Sequence, residues 1–128
     1  MRIPFPVSLA AGAILVVAAI YALMIVSSMA AEPCAGTRLL TSYYGTESGS
    51  RTADGSFFDG TQMIAASRGL KFGTRLKLTY QGRSVIVTVR DRGPAAWTGR
   101  ALDISESAAA RLGMIPAGVA RVCAEKVP

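Results

Sequence analysis

The stretch from Ser84 to Pro94, Ser-Val-Ile-Val-Thr-Val-Arg-Asp-Arg-Gly-Pro, constrains this chain more than any other. Its β-branched run favours a strand. Gly93-Pro94 ends that strand, because proline cannot donate to a ladder. Alternation puts Val85, Val87 and Val89 on one face. Carried one step further, it puts Asp91 there too, with Arg90 and Arg92 pointing away. A carboxyl group at the end of an apolar face is partly desolvated, which favours the protonated form, the state from which a general acid works. The competing reading is that Asp91 only receives hydrogen bonds from the Gly93-Pro94 turn, or pairs with an arginine.

The composition excludes several chemistries. The chain has 128 residues, two cysteines and no histidine, so a zinc site built from His and Cys lacks its ligands. A Ser-His-Asp or Cys-His mechanism is excluded for the same reason, and neither a metal nor a cofactor is expected. The formal net charge of +6 favours acidic partners such as nucleic acid, an anionic membrane or an anionic cell-wall polymer. The basic residues are scattered between Arg38 and Lys126 with no dense run and no interleaved aromatics, which argues against nucleic acid.

The first residues read as an export signal. Met1-Arg2 gives a positive start, Val7 to Val26 is apolar except for Ser8 and Tyr21, and Ser28-Met29-Ala30 is a small-x-small pattern suited to signal peptidase. The apolar run, about 20 residues, exceeds the usual signal core of roughly 7–15 and matches the ~20 of a membrane span. Residues 1–31 are therefore a cleaved signal peptide or an uncleaved membrane anchor through residues 7–26, and residues 32–128 form one exported domain. Cys34 and Cys123 stand near the two ends of that domain. In an exported chain they are expected to form a disulfide; a lipidated Cys34 or two free thiols are the alternatives.

Along the exported part, Arg38 to Tyr44 reads as a first strand, with Tyr43 and Tyr44 on opposite faces. Gly45 to Gly60 is a long polar loop, pinned by Phe57-Phe58. Thr61 to Ser67 reads as one or two turns of helix. Arg75 to Tyr80 alternates as a half-buried strand, and Gln81-Gly82 turns tightly into the Ser84 run. Trp97 lies in the loop after Pro94, where an aromatic ring suits either packing or a sugar face. Ala101 to Ile104 is a short strand and Ser105 to Leu112 a helix stopped by Gly113. Asp103 or Ser105 caps that helix, with Glu106 placed after Asp103 as in a capping box. Val119 to Val127 is the last strand. Five or six short strands with one or two short helices suggest a closed barrel, which leaves no exposed edge.

Tyr44-Gly45, Thr52-Ala53-x-Gly55, Phe58-Asp59, Ala65-Ala66, Phe72-Gly73-Thr74, Asp91-Arg92-Gly93-Pro94, Gly99-Arg100 and Asp103-x-Ser105 occur in this order, followed by Ala108-Ala109-x-x-Leu112-Gly113-Met114 and Gly118-Val119-Ala120. This series resembles the rare lipoprotein A family of septal-ring lytic transglycosylases. The resemblance implies a mainly β fold, a small six-stranded double-psi β-barrel, here preceded by the N-terminal hydrophobic export helix. It implies peptidoglycan glycan strands as substrate, cleaved between N-acetylmuramic acid and N-acetylglucosamine to leave a 1,6-anhydro end. Asp91 falls on the family's catalytic aspartate. One carboxyl group suffices there, since it protonates the leaving oxygen and then takes the proton of the attacking 6-hydroxyl, unlike two-carboxylate hydrolases. Tyr44, Ser67, Arg92, Trp97 and Asp103 are the expected substrate contacts, on a monomer in the periplasm or cell envelope.

The chain departs from the family at two positions. Ser67 stands where the family usually carries His, and Ser56 where it often has Glu. Serine does not titrate near neutrality as histidine does. A non-catalytic, expansin-like peptidoglycan-binding module is therefore the alternative, and a protease-inhibitor-like protein on the same barrel is a third reading.

Overall fold

The computed structural model describes residues 7–29 and 32–128. They fall into two compact units, Met1–Glu32 and Pro33–Pro128. In the first, α1 (Val7–Met29) is a helix of 23 residues. Over the residues whose side chains are described, no helix is long and apolar enough to cross a membrane. The expected positive start at Met1-Arg2 and the end of the expected cleavage motif, Ala30, lie outside the described residues.

In the second unit, β1 (Thr37–Tyr44), β2 (Ile64–Ala66), β3 (Arg75–Tyr80), β4 (Arg83–Asp91), β5 (Leu102–Ser105) and β6 (Ala120–Val127) close into a barrel in the order β1-β5-β2-β4-β3-β6. The β1–β5 and β2–β4 pairs are parallel and the other four antiparallel. The β3–β4 hairpin turns at Gln81-Gly82, both with positive φ (46° and 78°), as a two-residue turn matched to strand twist requires. Gly36 passes so close to β6 that a Cβ there would lie 2.0 Å from the carbonyl oxygen of Ala124, leaving room for glycine alone.

Alternation decides what fills the barrel. Leu76 and Leu78 of β3, Val85, Val87 and Val89 of β4, Leu102 and Ile104 of β5 and Val122 and Ala124 of β6 form one buried cluster, each large side chain contributing on the order of 1.5–3 kcal/mol. Helix α2 (Glu106–Leu112) adds Ala108, Ala109 and Leu112 to it. Ser105 is the N-cap, accepting from the N–H of Ala108, and Gly113 closes the other end in the left-handed conformation. The disulfide is present between Cys34 and Cys123, with Cα atoms 5.7 Å apart.

The segment expected as a helix at Thr61–Ser67 is instead the three-residue strand β2, buried throughout. It lies between β4 and β5, covered on both faces, so its sequence carries no alternation. Ile64 and Ala66 join Tyr44 and Phe58 in a second cluster. There Phe58, 2% exposed, packs its ring 5.1 Å from that of Tyr44, and it is this member of the Phe pair that pins the long loop.

Candidate active site

The three adjacent strands β5, β2 and β4 bring two carboxylates to one place. Ala66 pairs with Asp91 on one side and with Asp103 on the other. A register shift between Ala65 and Ala66 makes this possible, because Ala65 pairs with Val89 and Ala66 with Asp91. The extra residue, Arg90, breaks the alternation one step before Asp91. Asp91 therefore leaves the face of Val85, Val87 and Val89 on which simple alternation places it, and meets Tyr44 of the second cluster.

Asp91 accepts three hydrogen bonds. The Tyr44 hydroxyl donates to Oδ2 at 3.1 Å, and the backbone N–H groups of Ala53 and Arg92 donate to Oδ1, both at 2.9 Å. Oδ1 thus has a donor for each lone pair, while Oδ2 keeps one lone pair open. Tyr44 is only 6% exposed. Burial, and then the charge of Asp91, push its phenol far above the ordinary value, so it remains a donor.

The Ala53 donor is delivered by a tight turn. Thr52 and Ser56 both donate through their hydroxyls to Asp54 Oδ1, and these bonds hold the Asp54 carboxyl well below the usual range. Asp54 is tied to β4 by its N–H on the Arg90 carbonyl and by a 3.3 Å ion pair with the Arg90 guanidinium. Ser56 is thereby committed to building the turn.

Asp103 is half-buried on β5. Its Oδ1 accepts from the Ser42 hydroxyl at 3.0 Å, and the Ser42 oxygen accepts from Arg100 Nη1 at 2.8 Å. Burial raises its carboxyl above the ordinary value, aided by the charges of Glu47 and Asp91 and opposed by the Ser42 bond and by Arg100. Ser105 caps α2, so Asp103 is free of that role.

Among the described residues, none of the side chains of the other expected contacts, Ser67, Arg92 and Trp97, bonds to either carboxylate. The hydroxyl of Ser67, buried, accepts from the N–H of Leu70 at 3.1 Å, and Ser67 lines a cavity of about 530 Å³ with Leu39, Leu70, Leu76 and Leu102, whose lining does not include Asp91. The Arg92 guanidinium donates to the carbonyls of Ser67 and Leu70 and lies 3.8 Å over the ring of Phe72. Trp97 is 89% exposed on a one-turn 3-10 helix, Ala96–Thr98. Its loop is fastened by Arg68, which donates to the carbonyls of Pro94 and Arg100 at 2.6 and 2.7 Å. Ser42, Ala53 and Arg100 were not among the expected site residues. Ser42 was within reach of alternation, two positions before Tyr44 on one strand.

Six short strands closed on themselves, with paired carboxylates outside the apolar filling, define a double-psi β-barrel domain. The profile of the family described as "Lytic transglycolase" matches residues 36–124. The chain belongs to this family. Among similar proteins, the "Probable endolytic peptidoglycan transglycosylase RlpA" of Nostoc sp. is 47% identical over 88 residues, 65% of this chain and 24% of that protein. The "Endolytic peptidoglycan transglycosylase RlpA" of Pseudomonas aeruginosa is 40% identical over 89 residues, 67% of this chain and 26% of that one. The chain thus spans about a quarter of the length of these relatives. Among solved structures, Streptomyces papain inhibitor superposes with a TM-score of 0.60 at 21% identity, over 77% of this chain and all of that one. Cerato-platanin 2 of M. perniciosa superposes at 0.55 and 15% identity, over 72% of this chain and 95% of that one. At these identities the two share the fold alone.

Proposed function

We propose that this domain is an exported lytic transglycosylase that cleaves the bond between N-acetylmuramic acid and N-acetylglucosamine in peptidoglycan. The observation that carries the reading is the Asp91 carboxylate, set by Tyr44, Ala53 and Arg92 with one lone pair of Oδ2 left open. A protonated Asp91 gives its proton to the leaving oxygen as the C1–O bond breaks. The 6-hydroxyl of the same sugar then closes on C1 and returns its proton to Asp91, leaving a 1,6-anhydro end. No water and no second nucleophile enter. The relatives named as peptidoglycan transglycosylases and the disulfide support this chemistry and an envelope location. Whether residues 1–31 leave as a signal or stay as an anchor is decided by the N-terminus of the exported protein: near Ala31 if cleaved, at Met1 if retained.

On denuded peptidoglycan the protein is expected to release anhydro-ended fragments, and Asp91→Asn to release them at least ~100-fold more slowly, the lower range for loss of a general acid–base group. Parent protein that releases none defeats the reading.

A second reading, a peptidoglycan-binding module without turnover, is favoured by one observation. At the positions where the family carries His and Glu, Ser67 bonds Leu70 and Ser56 bonds Asp54, so neither offers a titrating group to substrate. Co-sedimentation with peptidoglycan in the absence of any anhydro product would select it.

A further inference from the structure

We propose that the open end of the barrel is a binding site for a single-chain amphiphile with an acidic head, its hydrocarbon chain seated among leucines and its head on Lys126. The site is separate from the Asp91 carboxylate, and the inference does not depend on the glycan-cleaving reading.

The opening follows from strand direction. β1, β3 and β5 run one way and β6 the other, so the starts of the first three and the finish of the fourth share one end. Helix α2 leaves from the far end of β5, and its Leu112, with Met114 behind it, is fully buried there. Arg83, at the far end of the β3–β4 hairpin, lies against Gly113. The far end is thus closed. The cavity of about 530 Å³ lies at the near end, where Leu39, Leu76 and Leu102 stand near the starts of their strands and Ala124 and Lys126 near the finish of β6.

Small residues keep this end open. Ala35, Gly36, Gly69 and Ala101 all stand in its wall. Gly36 is pressed against the Ala124 carbonyl, so no side chain fits there to fill the space. The volume falls within the roughly 300–1,000 Å³ of small-molecule sites, for which barrel mouths are a recurrent location. It is many times that of the water-sized voids left by packing, ~30 Å³ each.

The lining states what fits. Leu39, Leu70, Leu76 and Leu102 make the interior hydrocarbon. An alkyl chain gains by leaving water for such a wall, whereas a sugar would strand its hydroxyls. The lining holds two charged residues, Glu125 and Lys126. Lys126 pairs with Leu76 and Glu125 with Lys77, and directly opposed residues share a face. Lys126 therefore leaves β6 on the side of buried Leu76, toward the cavity, while Glu125 leaves on the outer side beside Lys77. Among the described residues the Lys126 ammonium has neither an ion pair nor a hydrogen bond. A cation over an apolar cavity suits a carboxylate or phosphate head, with the lysine stem packing along the chain below it.

The test is isothermal titration of the exported protein, in the form that cells deliver and without micellar detergent. The probes are octanoate, decanoate and dodecanoate, each below its micelle threshold, octan-1-ol as the uncharged control, and decanoyl lysophosphatidylglycerol. Affinity is expected to rise about fourfold per added methylene. Octanoate is expected to bind more tightly than octan-1-ol, and Lys126→Met to erase that difference through a loss of about two- to fivefold for the carboxylate. Ala101→Phe fills the cavity and is expected to abolish binding; Ala35→Trp, outside every strand, closes the lip and serves where Ala101→Phe does not fold. Tighter binding of the lysophospholipid than of decanoate supports the site with a membrane lipid as its source, and the reverse supports it with a free fatty acid. No binding at any chain length, an affinity indifferent to chain length, equal binding of octanoate and octan-1-ol, or binding retained in folded Ala101→Phe or in Ala35→Trp overturns the inference.

Discussion

Tyr44→Phe isolates one hydrogen bond. The ring sits in the cluster with Phe58, Ile64 and Ala66 and is 6% exposed. Phenylalanine keeps that volume and the 5.1 Å ring contact with Phe58, and only the 3.1 Å bond to Asp91 is lost. A hydrogen bond to a charged group contributes about 1.5–3 kcal/mol net of desolvation, but Asp91 is only partly buried, so in the variant water takes the place of the lost donor at Oδ2 and returns a comparable amount. The two nearly cancel in folding, so the stability change is expected to stay within about 1 kcal/mol, roughly 4–8 °C in thermal midpoint for a domain of this size. Turnover has no such offset. Where Tyr44 holds the working carboxylate in its reacting position, the loss appears as about 1.5–3 kcal/mol in the barrier, or roughly 10- to 150-fold in kcat, with little change in KM. The measurements are a thermal melt and initial rates of anhydro-end release. A kcat within about twofold of the parent refutes the assignment of Tyr44 to positioning. A midpoint lower by much more than the ~4–8 °C above says that the hydroxyl is structural.

Two further outcomes are expected. The disulfide joins residues 89 positions apart; in the chain-entropy account a loop of that length contributes about 4–5 kcal/mol. Replacing Cys34 and Cys123 together by serine should therefore lower the guanidinium midpoint by a large fraction of the domain's stability, and an unchanged midpoint would remove the bridge from the account of the fold. Trp97, 89% exposed on a loop held by Arg68, leaves both faces of its ring open; on the proposed glycan-cleaving reading Trp97→Ala is expected to weaken peptidoglycan co-sedimentation roughly two- to tenfold, the range of an aromatic contact of about 0.5–1.5 kcal/mol, while leaving the melt in place. Equal binding by the variant would assign the ring no part in substrate capture.

What the sequence made legible, and what it did not, divides along a physical line. Strands β3, β4 and β6 have one face in the barrel and one in solvent, so each prints its own alternation, and Gln81-Gly82 and Gly113 mark where the chain must take positive φ. Strand β2 is covered on both faces; Ile64, Ala65 and Ala66 are buried alike, and a short apolar run of that kind is the same in sequence whether helix or strand. The site depends on just that strand. Ala66 sets the register of both Asp91 and Asp103, and the shift beside it moves Asp91 from the barrel face to the Tyr44 face, which no pattern within β4 announces. The capping contest was equally closed to local reading: Asp103 and Ser105 both have the chemistry of an N-cap, and only the Ser42 hydroxyl, 61 residues away in sequence, gives Asp103 other work. In a barrel whose neighbouring strands are mostly not consecutive in the chain, each strand declares its own faces but not which foreign face it will meet. The surroundings of Asp91 are made of those meetings, Tyr44 to Asp91 across 47 residues and Ala53 to Asp91 across 38. A candidate acid is thus visible in the sequence as a residue, while the hydrogen-bond partners around its carboxylate become visible only with the closure that supplies them.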